Sequence, residues 1–145
     1  MASFLVVDND PATLSGLQRL LSDDGHDVSP FTSGADAVRA LSSQPFDAVV
    51  TALEMPHVDG HEVVKATRKH QPHACVVVSS TLPEGKSRDL VDAGACVIAD
   101  KPFEYDEIAR VVTECRARGG PGAHGKCHMR SLPEGHRLVS LRLPK

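Results

Sequence analysis

Aromatic residues are scarce in this chain: 145 residues include four Phe, one Tyr and no Trp. The core is therefore expected to be aliphatic, and the stacking platforms used for single-stranded nucleic acid are not expected. No stretch approaches the ~18 consecutive apolar residues of a membrane span. The opening residues, MASFLVVDND, lack a basic n-region and run at once into acidic residues, so no secretory signal is expected. No C-x-x-C pair occurs, and Cys75, Cys96, Cys115 and Cys127 lie far apart in sequence. Thiols in a reducing cytoplasm are expected rather than disulfides or a zinc site.

What is present fits one globular domain with its own core. Hydrophobic residues make up 41% and charged residues 24%, an ordinary balance that excludes neither enzyme nor binding module. The charge is unevenly spread. Residues 1–115 hold 9 Lys/Arg and 18 Asp/Glu, a net of −9, whereas residues 116–145 hold 7 Lys/Arg and one acid, Glu134, a net of +6. An acidic body thus carries a basic tail.

Apolar runs alternate with helical patterns through the body. FLVV (4–7), HDVSPF (26–31), FDAVVTA (46–52), ACVVVSS (74–80) and CVIAD (96–100) read as strands, the fourth most clearly because of its three valines. Asp10-Pro11 supplies an N-cap and first helical residue, and Leu14, Leu17, Leu20 and Leu21 then share one helical face up to Asp23-Asp24-Gly25. Ser33-Gly34 opens a second helix with Ala37, Val38 and Leu41 inward. Asp59 and Glu62 form a D-x-x-E capping box for a third, carrying Val63 and Val64. A fourth, over 84–93, ends at Ala93-Gly94, and Ile108, Val111, Val112 and Cys115 line a fifth. Strand–helix alternation of this kind implies right-handed crossovers and a parallel sheet covered on both faces.

The composition changes after Ala117. RGGPGAHGK (118–126) reads as a Gly-rich linker, and residues 127–145 as a basic tail, either flexible, docked weakly on the acidic body, or folded as a hairpin. The domain division is therefore 1–117, 118–126 and 127–145.

In an open parallel sheet, functional groups gather at the carboxyl ends of the strands. Asp8-Asn9-Asp10 follows the first strand, Thr51-Ala52-Leu53-Glu54 the third, Ser79-Ser80 ends the fourth, and Asp100-Lys101-Pro102-Phe103 follows the fifth. An acid, a hydroxyl and a lysine converge there around Ala52.

VVDND (6–10), EMPHVDG (54–60), SS (79–80), AGA (93–95) and KPF (101–103), all in register, resemble the receiver domain of bacterial two-component response regulators, and between Val78 and Phe103 the spacing matches the family's single-domain chemotaxis regulator. The resemblance covers about residues 3–117, roughly four-fifths of the chain. It implies an α/β, flavodoxin-like (βα)5 fold, a doubly wound five-stranded parallel sheet in order 2-1-3-4-5. It also implies phosphoryl transfer from a histidine kinase to an aspartate ending the third strand. That chemistry needs a carboxylate nucleophile, acids holding Mg²⁺, and Lys and Ser/Thr groups on the phosphoryl oxygens. The resemblance puts Asp8 and Asn9 on the family's acid pair and Glu54 on the residue whose backbone carbonyl completes the Mg²⁺ sphere. Ser79 falls on the hydroxyl, Lys101 on the lysine, and Lys101-Pro102 on the family's usual cis peptide.

The nucleophile's place, three residues before the Met of the M-P pair, is occupied by Ala52. Strand alternation turns Thr51 to the other face, so it is no simple substitute. The chain as written is therefore not expected to be phosphorylated there or to act as an enzyme, and Mg²⁺ is expected to bind weakly or not at all. Two accounts fit Ala52: a native pseudo-receiver, or a phosphorylation-dependent regulator represented by a phospho-null variant. Asn9, and Ile98 where the family often has a switch Tyr or Phe, favour the first.

Function is then expected on a surface of a stand-alone signalling module. The resemblance points to the face of the fourth helix, fifth strand and fifth helix, including Ile98 and Tyr105, for a homodimer or protein partner such as a histidine kinase or a downstream signalling protein. Ile108 and Val112 are expected in the core. His57 and His61 straddle the Asp59-Gly60 turn, which denies them helical i, i+4 geometry, and His124, Cys127 and His128 lie in a segment poorly suited to a metal. A rival of a different class is a small nucleic-acid-associated regulator using the basic tail.

Overall fold

A computed structural model describes residues 2–80, 90, 93–100, 108–110, 112–113 and 141–142. The first strand, β1 (Ser3–Val7), leads into α1 (Pro11–Asp23), β2 (Asp27–Phe31), α2 (Gly34–Ser43), β3 (Ala48–Ala52), α3 (Gly60–His70), β4 (Cys75–Ser80) and β5 (Val97–Asp100). Leu90 and Ala93 are helical before β5, and residues 108–110 and 112–113 are helical after it. A two-residue strand, β6 (Leu141–Arg142), completes the sheet.

The strand order is β2-β1-β3-β4-β5-β6. The first five strands pair in parallel, in the expected 2-1-3-4-5 order, and β6 adds antiparallel to the outer edge of β5. β2 lies at the opposite edge, which explains how it accommodates Pro30 without losing a ladder bond in the sheet interior.

The helix starts follow from local chemistry. Asp10 accepts from the Ala12 amide and the Thr13 hydroxyl, with Pro11 in the first turn, where no amide donor is needed. Ser33 caps α2, and the Asp59 carboxylate accepts from the Glu62 amide at the start of α3. Gly94, at φ +120°, lets its amide return to the Leu90 carbonyl in the turn before β5.

Alternation along the strands divides the core in two. Phe4, Val6, Val50, Val77 and Val97 pack with Leu14, Leu17 and Leu21 of α1 and with Ile108 and Val112, which are core residues as expected. Leu5, Val7, Val49, Val76, Val78 and Ile98 pack on the other face with α2, α3 and Leu90. Burial on both faces accounts for the nearly continuous apolar runs of β1, β3 and β4.

Side chains at the amino ends of the strands tie the framework together. Arg68, in the last turn of α3, donates through Nε and Nη2 to the Gly94 carbonyl (2.9 and 2.6 Å) and through Nη1 to those of Ala74 (2.9 Å) and Pro72 (3.2 Å). A Cβ on Gly94 would lie 2.8 Å from Arg68 Cδ, so the glycine also makes room for this side chain. Gln71 similarly donates to the Leu41 and Gln44 carbonyls, closing the end of α2.

One expectation is corrected: Cys75 is disulfide-bonded, to a partner outside the described residues, while Cys96 remains a buried thiol. Separation in sequence misled because Cys75 opens a central strand in the core face shared by α1 and Val112. Of the tail, β6 is described; the linker 118–126 and residues 127–140 lie outside the described residues. No helix among the described residues is long and apolar enough to cross a membrane.

Two measurements check this framework. Denatured without reductant, the protein should titrate two thiols, not the four of its sequence. Arg68→Ala should lower stability in urea by about 1–3 kcal/mol, because several carbonyls lose a charged donor together. Arg68→Lys should recover less than half of the loss, since one ammonium cannot span the same carbonyls.

Candidate functional site

The sheet register brings three of the expected site residues to one level. Val7 is opposite Thr51, which sets Asp8 beside Ala52, and Ala52 is opposite Ser79. Ser79 in turn is opposite Ala99. The four form a row at the carboxyl ends of β1, β3, β4 and β5. By strand alternation, Asp8, Ala52 and Ser79 share the face of Val6, Val50 and Val77.

All three are buried: Asp8 is 2% exposed, Ala52 1% and Ser79 2%. Asp8 donates its amide to the Phe31 carbonyl at 3.1 Å and accepts the Asp10 amide on Oδ1 at 2.9 Å. The carboxylate is therefore aimed by the turn that starts α1, while Asp10 serves as the helix cap. Asn9 and Glu54 are exposed at the rim. Thr51 lies on the opposite face, where its hydroxyl donates to the Ala52 carbonyl at 2.8 Å.

The loop between β3 and α3 covers this end of the sheet. Leu53 donates to the Ser79 carbonyl and accepts from the Gly60 amide, both at 2.9 Å. A Cβ on Gly60 would overlap the Ala52 carbonyl oxygen and stand 2.7 Å from Leu53 Cα, so only glycine fits there. Gly34, at the start of α2, is pressed as closely against the Val58 carbonyl. His57, at φ 66°, turns the loop through a left-handed conformation uncommon for a non-glycine residue. Sequence reading found the Asp59–Glu62 capping box but missed Gly34 and Gly60 as contact points, since the closeness of two backbones leaves no local signal.

Chemically, the row offers a carboxylate, a methyl group and a hydroxyl. The methyl of Ala52 has no lone pair for nucleophilic attack. Among the described residues no three His, Cys, Asp or Glu side chains group as a metal site. Asp8 is the carboxylate within the row, and Asn9 adds a neutral amide beside it. Ile98 is 3% exposed and packs in the core with Leu90 and Val78. Lys101, Pro102 and Tyr105 lie outside the described residues, as do His124, Cys127 and His128.

The architecture is that of known receiver domains. A CheY-like receiver protein from Methanospirillum hungatei superposes with a TM-score of 0.78 at 18% identity, covering 82% of this chain and 96% of that one. The receiver domain of Francisella response regulator 1452 gives 0.75 at 24% identity, over 81% and 98%. The receiver domain of the sensor histidine kinase PA1611 from Pseudomonas aeruginosa, which holds magnesium in its active-site cleft, gives 0.69 at 22% identity, over 78% and 95%.

Residues 4–113 match the response regulator receiver domain, and the chain belongs to that family. The transcriptional regulatory protein PrrA of Mycobacterium bovis is 36% identical over 118 residues, 79% of this chain and 50% of PrrA. TcrA of Mycobacterium tuberculosis is 31% identical over 79% of this chain and 46% of its own length. The sensor histidine kinase GacS of Pseudomonas protegens is 31% identical over 74% of this chain but 12% of GacS. The chain thus spans half or less of the length of these relatives. It is a response regulator receiver domain, with the fold of the CheY-like receiver from Methanospirillum hungatei.

Gly60→Ala is expected to destabilise the fold by about 1–3 kcal/mol, the usual effect of forcing a methyl into a filled site. Urea unfolding reads the loss, and amide chemical shifts at Ala52, Leu53 and Ser79 should move most.

Proposed function

We propose that this receiver domain is not phosphorylated at the family's acceptor position and signals through protein–protein contacts. The observation carrying this reading is Ala52: it is the last residue of β3, buried beside Asp8 and Ser79, three residues before Met55-Pro56. On the family's pattern this is the seat of the nucleophilic aspartate. With alanine there, no acyl phosphate forms and the chain is no enzyme.

Mg²⁺ prefers several hard anionic oxygens. Asp8, the Asn9 amide and the Glu54 backbone carbonyl make a poor donor set for it, so weak or absent binding is proposed and no step is routed through the ion. Ser79 and, by sequence, Lys101 and Pro102 are then remnants of a phosphate site.

The proposed division is a receiver body over 1–117, a linker over 118–126 and a basic tail over 127–145. Partners are proposed to be a histidine kinase or a downstream signalling protein in the cytoplasm. Contact is proposed through the face that includes β5 and, by sequence, Tyr105, with a homodimer as one form. Nucleic acid is the weaker reading, because the tail's positive charge has an acidic body of its own to meet.

A second reading, a phosphorylation-dependent switch inactivated by one substitution, is favoured by the retained Asp8–Ser79 row. Acetyl phosphate with Mg²⁺, read by intact mass, tests both. The chain as it stands should remain unlabelled, and phosphoprotein would overturn the proposal. Ala52→Asp should also remain unlabelled if Asn9 already deprives the metal of a carboxylate. Labelling of Ala52→Asp alone would favour the second reading.

A further inference from the structure

We propose that the outer edge of β5 is a strand-accepting docking site, and that Leu141–Arg142 of the same chain is its resident occupant. Ile98 pairs with Arg142 and Ala99 with Leu141, antiparallel. Without β6, β5 would be the edge strand of the sheet. An exposed edge presents unpaired amides and carbonyls that another extended segment can complete, and a chain that covers its own edge prevents such pairing.

The occupant suits the position. In VSLRL (139–143), Val139, Leu141 and Leu143 alternate with Ser140 and Arg142, the period of a strand with one apolar face. The segment belongs to the C-terminal region 116–145, of net charge +6, and residues 1–115 carry −9. Opposite charge raises the concentration of the tail near the body, more so at low ionic strength.

The occupancy is also replaceable. β6 has two residues, so few ladder bonds hold it, each contributing about 0.5–1.5 kcal/mol. Residues 114–140 separate it from the helical residues 112–113 that are anchored in the core by Val112, and a tether of moderate length gives an effective concentration on the order of millimolar. An extended segment from a partner, apolar on alternate residues and basic between them, can therefore displace β6 once other contacts add to its binding. The inference rests on the reading that this chain works through the face containing β5. It specifies that face further: its sheet edge is closed by the chain itself and opened by exchange of one strand for another.

The test uses the full chain and amide hydrogen exchange at residues 97–100, a readout independent of phosphorylation or of any partner protein. The double variant Leu141→Pro with Arg142→Pro removes both donors and the conformational freedom to pair. It should leave the parallel sheet folded while exchange of at least one β5 amide quickens by about fivefold, as expected for loss of one ladder hydrogen bond. A synthetic peptide of residues 136–145, HRLVSLRLPK, added at millimolar concentration, should restore protection in a saturable way. Unchanged exchange in the double variant would overturn the resident pairing. Quickened exchange that the peptide does not reverse would overturn the docking site. Failure of either arm leaves the acetyl phosphate experiment unaffected, so the two readings fail separately.

Discussion

The carboxyl end of the sheet depends on one close approach, that of Gly60 to the backbone of Ala52 and Leu53. Any side chain at 60 would occupy the space of the Ala52 carbonyl oxygen. Because the first turn of α3 can reach that far, the Gly60 amide closes onto the Leu53 carbonyl while the Leu53 amide closes onto Ser79 of β4. Leu53 is thereby held from both sides, and the loop above the row has little freedom. Gly34 repeats the device from α2 against Val58. Two glycines thus fix the roof over Asp8, Ala52 and Ser79, whatever side chain stands at 52.

That independence explains how the site keeps its shape with little of its expected charge. Several carboxylates crowded at a buried position repel one another and lose hydration, which costs stability unless a cation is present. Here the row holds the Asp8 carboxylate, which accepts a backbone amide from Asp10, and the Ala52 methyl is buried between it and Ser79. On the proposed reading, alanine at 52 and asparagine at 9 relieve repulsion that a metal would otherwise have to offset. A row with one carboxylate in place of several favours one arrangement of the loop, which suits a domain that displays a fixed surface.

Much of this was legible in the sequence because the deciding interactions are local or periodic. The caps Asp10, Ser33 and Asp59, the apolar strand runs and the spacing from Ala52 to Met55-Pro56 lie within short windows. They led to a parallel sheet and to the row of Asp8, Ala52 and Ser79, while the order 2-1-3-4-5 was implied by the resemblance to receiver domains. What was not legible involves pairs brought together only by the fold. Arg68 reaches Gly94, Cys75 joins a distant cysteine, Gly34 touches Val58 and Leu141 pairs with Ala99. Each member of these pairs looks ordinary in its own window: a basic residue in a last helical turn, a cysteine opening a valine run, a glycine after a cap. The disulfide shows the limit most plainly, since compartment reasoning from cysteine spacing pointed away from it.

The two ends of the sheet differ in how firmly they are held, and this bears on where change is possible. At the amino ends of the strands, Arg68 and Gln71 satisfy carbonyls from several segments, and Cys75 adds a covalent bond. Separating those segments would strand several polar groups at once, each of which costs roughly 1–3 kcal/mol when buried without a partner. At the carboxyl ends, the glycine-clamped loop is fixed by close packing. The outer edge of β5, by contrast, is closed by a strand of two residues that belongs to a separately charged part of the chain. A partner would meet least resistance there, because replacing β6 breaks few bonds and forms similar ones, leaving the sheet and its core undisturbed.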